Sequence, residues 1–242
     1  MLYQSPLLLV VSFSLALHLR AHGRSGLRVR QGYNDTEGRY PYVVSLVKQS
    51  QRFCSGTLIS SQWVLTARPS DSNTKRLVKF IKHDSYIYFH EANKFLCKHD
   101  IAVARVDEVK MSFYGRLSSV DYTTLTGLAV EYAGYGITRF PPTSEDKKTA
   151  IFQLGRGIVT KCMKVEDQAQ LYYGPFICVS SKCGEEEQTF LPGDSGGPLV
   201  QDGRVVGVVS HFHILARYQA FTPVSLYLEW IQKTVDNYID TI

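Results

Sequence analysis

A serine set among glycines is the pattern in this sequence that is best suited to chemistry. In the string Gly193-Asp194-Ser195-Gly196-Gly197-Pro198-Leu199, glycines stand on both sides of a hydroxyl group. Glycines allow the backbone to turn tightly and allow a substrate to approach its N–H groups. We therefore predict that the N–H groups of Gly193 and Ser195 form an oxyanion hole, with Ser195 as a candidate nucleophile beside it.

Four other motifs accompany this serine in a fixed order along the chain. They are Cys54-Ser-Gly-Thr-Leu-Ile-Ser-Ser-Gln-Trp63-Val-Leu-Thr-Ala67, His99-Asp100-Ile101-Ala102-Val103, Gly134-Tyr135-Gly136 and Thr222-Pro-Val-Ser-Leu-Tyr-Leu-Glu-Trp230-Ile231. With these motifs the chain resembles the chymotrypsin-like (trypsin-fold, S1) serine proteases over almost its whole length after the N-terminal segment. The resemblance implies that Asp100 is the catalytic aspartate and Ser195 the catalytic serine.

The catalytic histidine of that family has no counterpart at its expected place. Where the family continues with Ala-His-Cys, this chain continues from Ala67 with Arg68-Pro69-Ser70, so the histidine position is lost near Pro69. A serine hydroxyl needs a positioned base to take its proton. The alternative is a substitute base among His83, His99, His211 and His213, which must come within hydrogen-bond reach of the serine.

The resemblance also implies which residues line the primary specificity pocket. Thr189 stands at its floor, Ser210-His211-Phe212 replaces the wall segment Ser-Trp-Gly, and Gln219 stands at the glycine of the opposite wall. The uncharged floor and the bulky Phe212 predict a blocked or very shallow pocket. The alternative is a differently aligned loop that keeps a small apolar pocket, since loops tolerate insertions.

An activation junction is a further expectation from the resemblance. The string Arg28-Val29-Arg30-Gln31-Gly32-Tyr33 is similar to the zymogen junction of the family. Cleavage after Arg28 would free the ammonium group of Val29, which the family buries against the aspartate beside the serine, here Asp194. A buried carboxylate needs such a partner. The alternative is that Arg28 is one basic residue of an arginine-rich propeptide.

The chain contains 5 cysteines, an odd number, so at least one is unpaired or pairs between chains. The resemblance implies a disulfide between Cys162 and Cys178. It leaves Cys54, Cys97 and Cys183 without assigned partners, because the partner position of Cys54 is Ser70. Two of the three can pair, and the sequence does not determine which. No metal-ligand spacing is visible, and we expect neither a metal nor another cofactor.

The N-terminal segment is typical of a secretory signal. An apolar run from Leu7 to Leu17 is too short to span a bilayer as a mature helix, and Ser14-x-Ala16 is a usable cleavage pattern. We predict a signal peptide over residues 1–16, a propeptide over 17–28 and a secreted protein, and we expect no membrane span. A buried N-terminal helix is the alternative.

Charge and composition exclude several classes of protein. Of the 242 residues, 44% are hydrophobic and 20% are charged, which is ordinary for a globular chain and excludes disorder as the main state. The net charge is +5, and it falls to +2 from Val29 onward because three arginines precede that residue without any acid. We therefore expect no nucleic-acid partner.

The elements that must position these residues are β-strands. Segments rich in β-branched and aromatic residues alternate with turns, and the apolar residues after Ser225 follow a helical period. By resemblance we predict an all-β fold of two antiparallel six-stranded barrels, the first missing a strand, with a C-terminal α-helix. The N-terminal barrel would cover residues 29–122 and the C-terminal barrel with the helix residues 123–242.

Two functions remain open at this level. In the first, the chain is a secreted protease homologue without catalysis, which binds a protease, an inhibitor or a substrate as a decoy or cofactor. In the second, it is a serine endopeptidase whose histidine-bearing segment is missing from this version of the sequence. The changes at Thr189 and Phe212 favour the first, because an omission near Ala67 would not alter them. The sequence does not give the oligomeric state.

Overall fold

A computed structural model describes residues 32–48, 51–67, 79–91, 94–136, 152–162, 174–181, 188–213 and 218–239. Several predicted features lie outside the described residues, namely the signal peptide, the propeptide, the junction at Arg28 and Val29, the segment around Pro69, and Cys183.

Strands make up about half of the described residues. They are β1 (Tyr33–Asn34), β2 (Val43–Lys48), β3 (Gln51–Ser60), β4 (Trp63–Thr66), β5 (Lys79–Lys82), β6 (Ile87–Glu91), β7 (Lys94–Lys98), β8 (Ala102–Arg105), β9 (Ala129–Gly134), β10 (Gln153–Thr160), β11 (Ile177–Ser180), β12 (Pro198–Gln201), β13 (Arg204–His213) and β14 (Tyr218–Pro223). Tyr122–Leu125 and Val224–Tyr227 form short 3-10 helices, and α1 (Leu228–Ile239) is the α-helix.

The first sheet contains five antiparallel strands in the order β2-β3-β4-β8-β5 among the described residues. Its central strands are almost wholly apolar; all four side chains of β4 and the first three of β8 are buried. Such strands pack on both faces and therefore read as continuous hydrophobic runs. The predicted loss of a strand from the first barrel stays a prediction, because residues 68–78 lie outside the described ranges.

The second sheet closes on itself. Its order is β10-β11-β14-β13-β12-β9, and β9 also pairs with β10 from Gly134 opposite Gln153 to Ala129 opposite Ile158. Closure removes the open edges of an antiparallel sheet. The predicted six-stranded second barrel is thereby confirmed. Strand β1, which lies early in the chain, pairs with β10 and so belongs to this sheet.

The C-terminal helix is confirmed, and it joins the two halves of the chain. It begins at Leu228, after the 3-10 helix that follows Pro223. Tyr227 and Ile231 are buried in one hydrophobic cluster with Trp63 and Ile101 of the first half. The helix thus fixes the barrels against each other, and the candidate site lies where they meet. No helix in the described ranges is long and apolar enough to cross a bilayer.

Candidate active site

The turn that carries Ser195 depends on the positive φ of its glycines. Gly193 has φ +100°, and the N–H of Asp194 donates to the carbonyl of Leu191 at 3.0 Å. A turn closed in this way with φ > 0 at its third residue has the features of type II and favours glycine there. A Cβ atom on Gly193 would lie 3.0 Å from the Cα of Gly136, so a larger residue does not fit.

Gly196, directly after the serine, packs against strands of the first sheet. Gly196 has φ +86°, and a Cβ atom there would lie 2.1 Å from Oγ1 of Thr66. Its N–H donates to the carbonyl of Val209, and the N–H of Val209 donates to the carbonyl of Gly197, both at 2.8 Å. These bonds fix the turn beside strand β13 and so place Ser195 next to the strand that carries Ser210.

Ser55, at the middle of β3, is hydrogen-bonded to the turn from the first sheet. Its N–H donates to the carbonyl of Ser195 at 2.8 Å, and its Oγ donates to the carbonyl of Gly193 at 2.8 Å. The same Oγ accepts from the N–H of Tyr135 at 2.9 Å. Ser55 is 0% exposed, so these bonds form away from water, where an unmade bond is costly. The sequence alone does not mark Ser55 as functional, although the residue directly follows Cys54 in the motif from Cys54 to Ala67.

Asp194 is buried behind the turn, with 2% of its surface exposed. Its Oδ1 accepts from the N–H of Gly136 at 2.7 Å and its Oδ2 from that of Leu191 at 2.9 Å. Burial raises the pKa of this carboxyl to about 6, although both backbone bonds act in the opposite direction. A Cβ atom on Gly134 or Gly136 would collide with the carboxyl, which explains the two glycines.

Asp100 is buried, with 6% of its surface exposed. Oγ of Ser210 donates to its Oδ2 at 2.7 Å, and the thiol of Cys97 lies near enough to both side chains for them to affect its pKa. A β-bulge between Val209 and His211 re-aims Ser210 toward the carboxylate. Burial raises the pKa of the Cys97 thiol, with the charge of Asp100 adding to the effect. The thiol therefore stays protonated, and a carboxylate accepts its proton in a hydrogen bond.

The histidines near the site make other contacts. Nδ1 of His99 lies 2.9 Å from the phenol oxygen of Tyr227, and the ring stacks on His83 with 5.1 Å between centroids. Nδ1 of His211 lies 3.2 Å from Oγ of Ser210. Within the described ranges, Oγ of Ser195 makes no hydrogen bond to a histidine ring. His213 lies in β13, and its side chain is outside the described set.

The residues assigned to the specificity pocket lie together. Thr189 is 7% exposed and Gln219 is 2% exposed. The amide of Gln219 is hydrogen-bonded to the backbone on both sides of Thr189, at Gln188 and Phe190. Phe212 lies opposite Gln219 in the register of β13 and β14, and its side chain is outside the described set.

The predicted disulfide between Cys162 and Cys178 is present, with 5.3 Å between the Cα atoms. Cys54 and Cys97 are buried free thiols, and burial, reinforced by Asp100, raises the pKa of Cys54 to about 12. Among the described residues, no cluster of histidine, cysteine and carboxylate side chains has the arrangement of a metal site.

The sequence singled out Asp100 and Ser195, and the structure places Asp100 beside Ser210. It places Ser195 in a turn that is hydrogen-bonded to Val209, the residue before Ser210. It adds Cys97 and Ser55, which the motifs did not mark. The signal for Cys97 was its position three residues before Asp100 at the end of the β6–β7 hairpin, which returns the chain to the carboxylate.

Comparisons with known proteins agree with this geometry. Residues 29–231 match the family model described as Trypsin. Trypsin epsilon of Drosophila erecta is 26% identical over 234 residues, covering 86% of this chain and 87% of the relative. Serine protease 1 of Homo sapiens is 26% identical over 247 residues, covering 94% and 97%. Among solved structures, neuropsin from mouse brain has a TM-score of 0.64 at 21% identity, covering 85% of this chain and 99% of neuropsin.

Proposed function

The chain belongs to the trypsin family of S1 serine proteases, and on that premise we propose that it is a secreted homologue without catalytic activity. In this proposal it acts by binding a protein or peptide, as a decoy or cofactor in extracellular proteolysis. Serine protease relatives and a protease fold supply the context. The missing Ala-His-Cys after Ala67 supplies the reason for inactivity.

One observation carries the proposal: Arg68-Pro69-Ser70 stands where the family has Ala-His-Cys. A catalytic aspartate holds an imidazole in place and stabilises its charged form. In this chain the hydroxyl of Ser210 donates to the buried carboxylate of Asp100 at 2.7 Å, and a hydroxyl is not a general base at neutral pH. The thiol of Cys97 has a raised pKa, so it is neutral and does not take a proton from Ser195.

The burial of Asp194 supports a role in ordering the turn around Gly193 rather than a role in a reaction. Its buried carboxyl has a raised pKa of about 6, the expected consequence of burial with no cation close by among the described residues. We propose that cleavage after Arg28 supplies the ammonium group of Val29 as that cation. The cleaved chain would then present an ordered turn around Gly193 to a partner while Ser195 stays unreactive.

A second candidate function is favoured by the turn itself. Gly193 has φ +100° and Gly196 has φ +86°, and these backbone angles support the proposal of an oxyanion hole at this turn. A version of the chain containing Ala-His-Cys after Ala67 would then be an active endopeptidase. Sequencing transcripts across the codons of Ala67 and Arg68 distinguishes the two, because a dominant transcript encoding Ala-His-Cys would refute the first proposal.

The proposal is tested with purified protein cleaved after Arg28, exposed to a fluorophosphonate probe. Without a base we expect labelling to be slower than in an active relative by a factor on the order of a million, as for loss of the histidine in subtilisin. Ser195→Ala is the matched control, and labelling of the native chain should not exceed it. Labelling at the rate of an active trypsin would show that a base exists.

A further inference from the structure

The side-chain amide of Gln219 is held by three hydrogen bonds inside the candidate pocket. Its Nε2 donates to the phenol oxygen of Tyr132 and to the carbonyl of Gln188, both at 3.0 Å. Its Oε1 accepts from the N–H of Phe190 at 3.0 Å. A primary amide has two N–H donors and one carbonyl acceptor, so every kind of polar group on it is used.

Two of the residues that bind this amide, Tyr132 and Phe190, belong to a group of packed aromatic rings. The rings of Tyr132, Phe190 and Phe221 contact one another, with 5.7 to 6.5 Å between centroids. Thr189 lies between the two backbone groups that bind the amide, and its buried Oγ1 has no hydrogen-bond partner among the described residues. A few polar groups in an aromatic enclosure recognise one small polar ligand.

We propose that Gln219 is a built-in ligand of the primary pocket, and that the place it fills is selective for a primary carboxamide. The inference rests on the proposed function only for the assignment of Thr189 and Gln219 to that pocket. While Gln219 keeps its three bonds, a partner cannot insert its own side chain between Tyr132 and Gln188. Recognition of partners would then involve the outer surface of the site.

The substitution Gln219→Gly tests this directly, because the atoms it removes correspond to a molecule of propionamide. We expect the Tm of the variant to fall by about 5 to 10 °C, since buried polar groups lose their partners. Propionamide should then raise the Tm of Gln219→Gly in a saturable way, by about 3 °C at ten times its dissociation constant. The native chain, whose site is full, should not respond.

Two controls separate amide recognition from simple space filling. N,N-dimethylpropionamide has no N–H donor and should not restore the Tm of Gln219→Gly. Gln219→Met fills the space without an amide, so its Tm should be low and unaffected by propionamide. Equal responses of the native chain and Gln219→Gly to propionamide would overturn the proposal.

A further variant keeps the proposal falsifiable if Gln219→Gly does not fold. Gln219→Glu preserves the size of the side chain but replaces the donor to Tyr132 and Gln188 by an oxygen. An unchanged Tm in both Gln219→Glu and Gln219→Met would refute the role of the amide. None of these measurements depends on the reactivity of Ser195, so failure of this inference and failure of the proposed function are distinguishable.

Discussion

At the scale of single residues, Ser55 shows how a small side chain stabilises a functional turn. Its hydroxyl bridges the carbonyl of Gly193 and the N–H of Tyr135, which belong to two separate segments of the second barrel. The residue itself lies on β3 of the first sheet. The geometry of the turn around Ser195 therefore depends on a contact between the barrels.

We predict that Ser55→Ala destabilises the fold by about 1 to 3 kcal/mol, because a buried donor and a buried acceptor both lose their partner. Urea unfolding measures the change. Ser45→Ala is the matched control: Ser45 pairs with Ser55 in the β2–β3 register, and its buried Oγ has no hydrogen-bond partner among the described residues. Equal losses for the two variants would contradict the account.

Cys97 offers a second test at this scale. Its thiol lies near Asp100 and Ser210, which both affect its pKa, and the residue is 3% exposed. Cys97→Ser keeps a donor for the carboxylate, whereas Cys97→Ala removes it. We expect Cys97→Ala to be less stable than Cys97→Ser by about 1 to 3 kcal/mol in urea unfolding. Two variants of equal stability would mean that Asp100 does not need this donor.

At the scale of elements, a histidine pair connects the first half of the chain to the C-terminal helix. His83 and His99 stack on each other, His83 contacts the ring of Trp230 with 5.1 Å between centroids, and His99 approaches Tyr227. Burial lowers the pKa of both imidazoles. The neighbouring charges of His99 and Lys98 lower the pKa of His83 and His99 respectively, and Asp84 partly opposes the shift at His83.

This pair predicts a loss of stability in mild acid. A lowered pKa means that the unfolded chain binds more protons than the folded one, so stability is present above the ordinary histidine pKa of about 6.5 and is lost as the pH falls below it. His99→Asn should flatten the curve of Tm against pH between about 7 and 5. Asparagine tolerates the positive φ of 51° at this position. An unchanged slope in His99→Asn would count against the pair.

At the scale of the whole molecule, Asp194 is the proposed link between the N-terminal segment and the turn. Its raised pKa of about 6, against an ordinary value of 3.8, means that the folded chain binds the extra proton. Stability from this group is fully present below 3.8 and is lost as the pH rises through about 6. The contribution of Asp194 to the stability of an uncleaved chain should therefore fall between pH 5 and pH 7.

Cleavage after Arg28 should remove that loss. The ammonium group of Val29 would stabilise ionised Asp194, so cleavage should raise the Tm more at pH 7.5 than at pH 5. Calorimetry of the cleaved and uncleaved chains measures the difference, and Asp194→Asn, which does not ionise, should show the same effect of cleavage at both values. A Tm that cleavage raises equally at both pH values would contradict the proposed contact.

The sequence predicted the fold well because its motifs reflect the backbone angles and the packing that short segments of the chain need. The glycines around Ser195 are needed for positive φ and close packing, and the apolar period after Ser225 reports a helix. It did not reveal the hydrogen bonds of Ser55 to Gly193 and Tyr135, because these join residues 138 and 80 positions apart. Only closure of the barrels brings such residues together, and no local pattern records it.

The proposed absence of a base for Ser195 follows from Arg68-Pro69-Ser70, which stands where the family has its catalytic histidine. Acylation by p-nitrophenyl acetate tests it most directly, because an activated serine releases a burst of nitrophenolate before turnover. For the chain cleaved after Arg28 we predict no burst and a release rate equal to that of Ser195→Ala. A burst of one equivalent that Ser195→Ala abolishes would contradict the account.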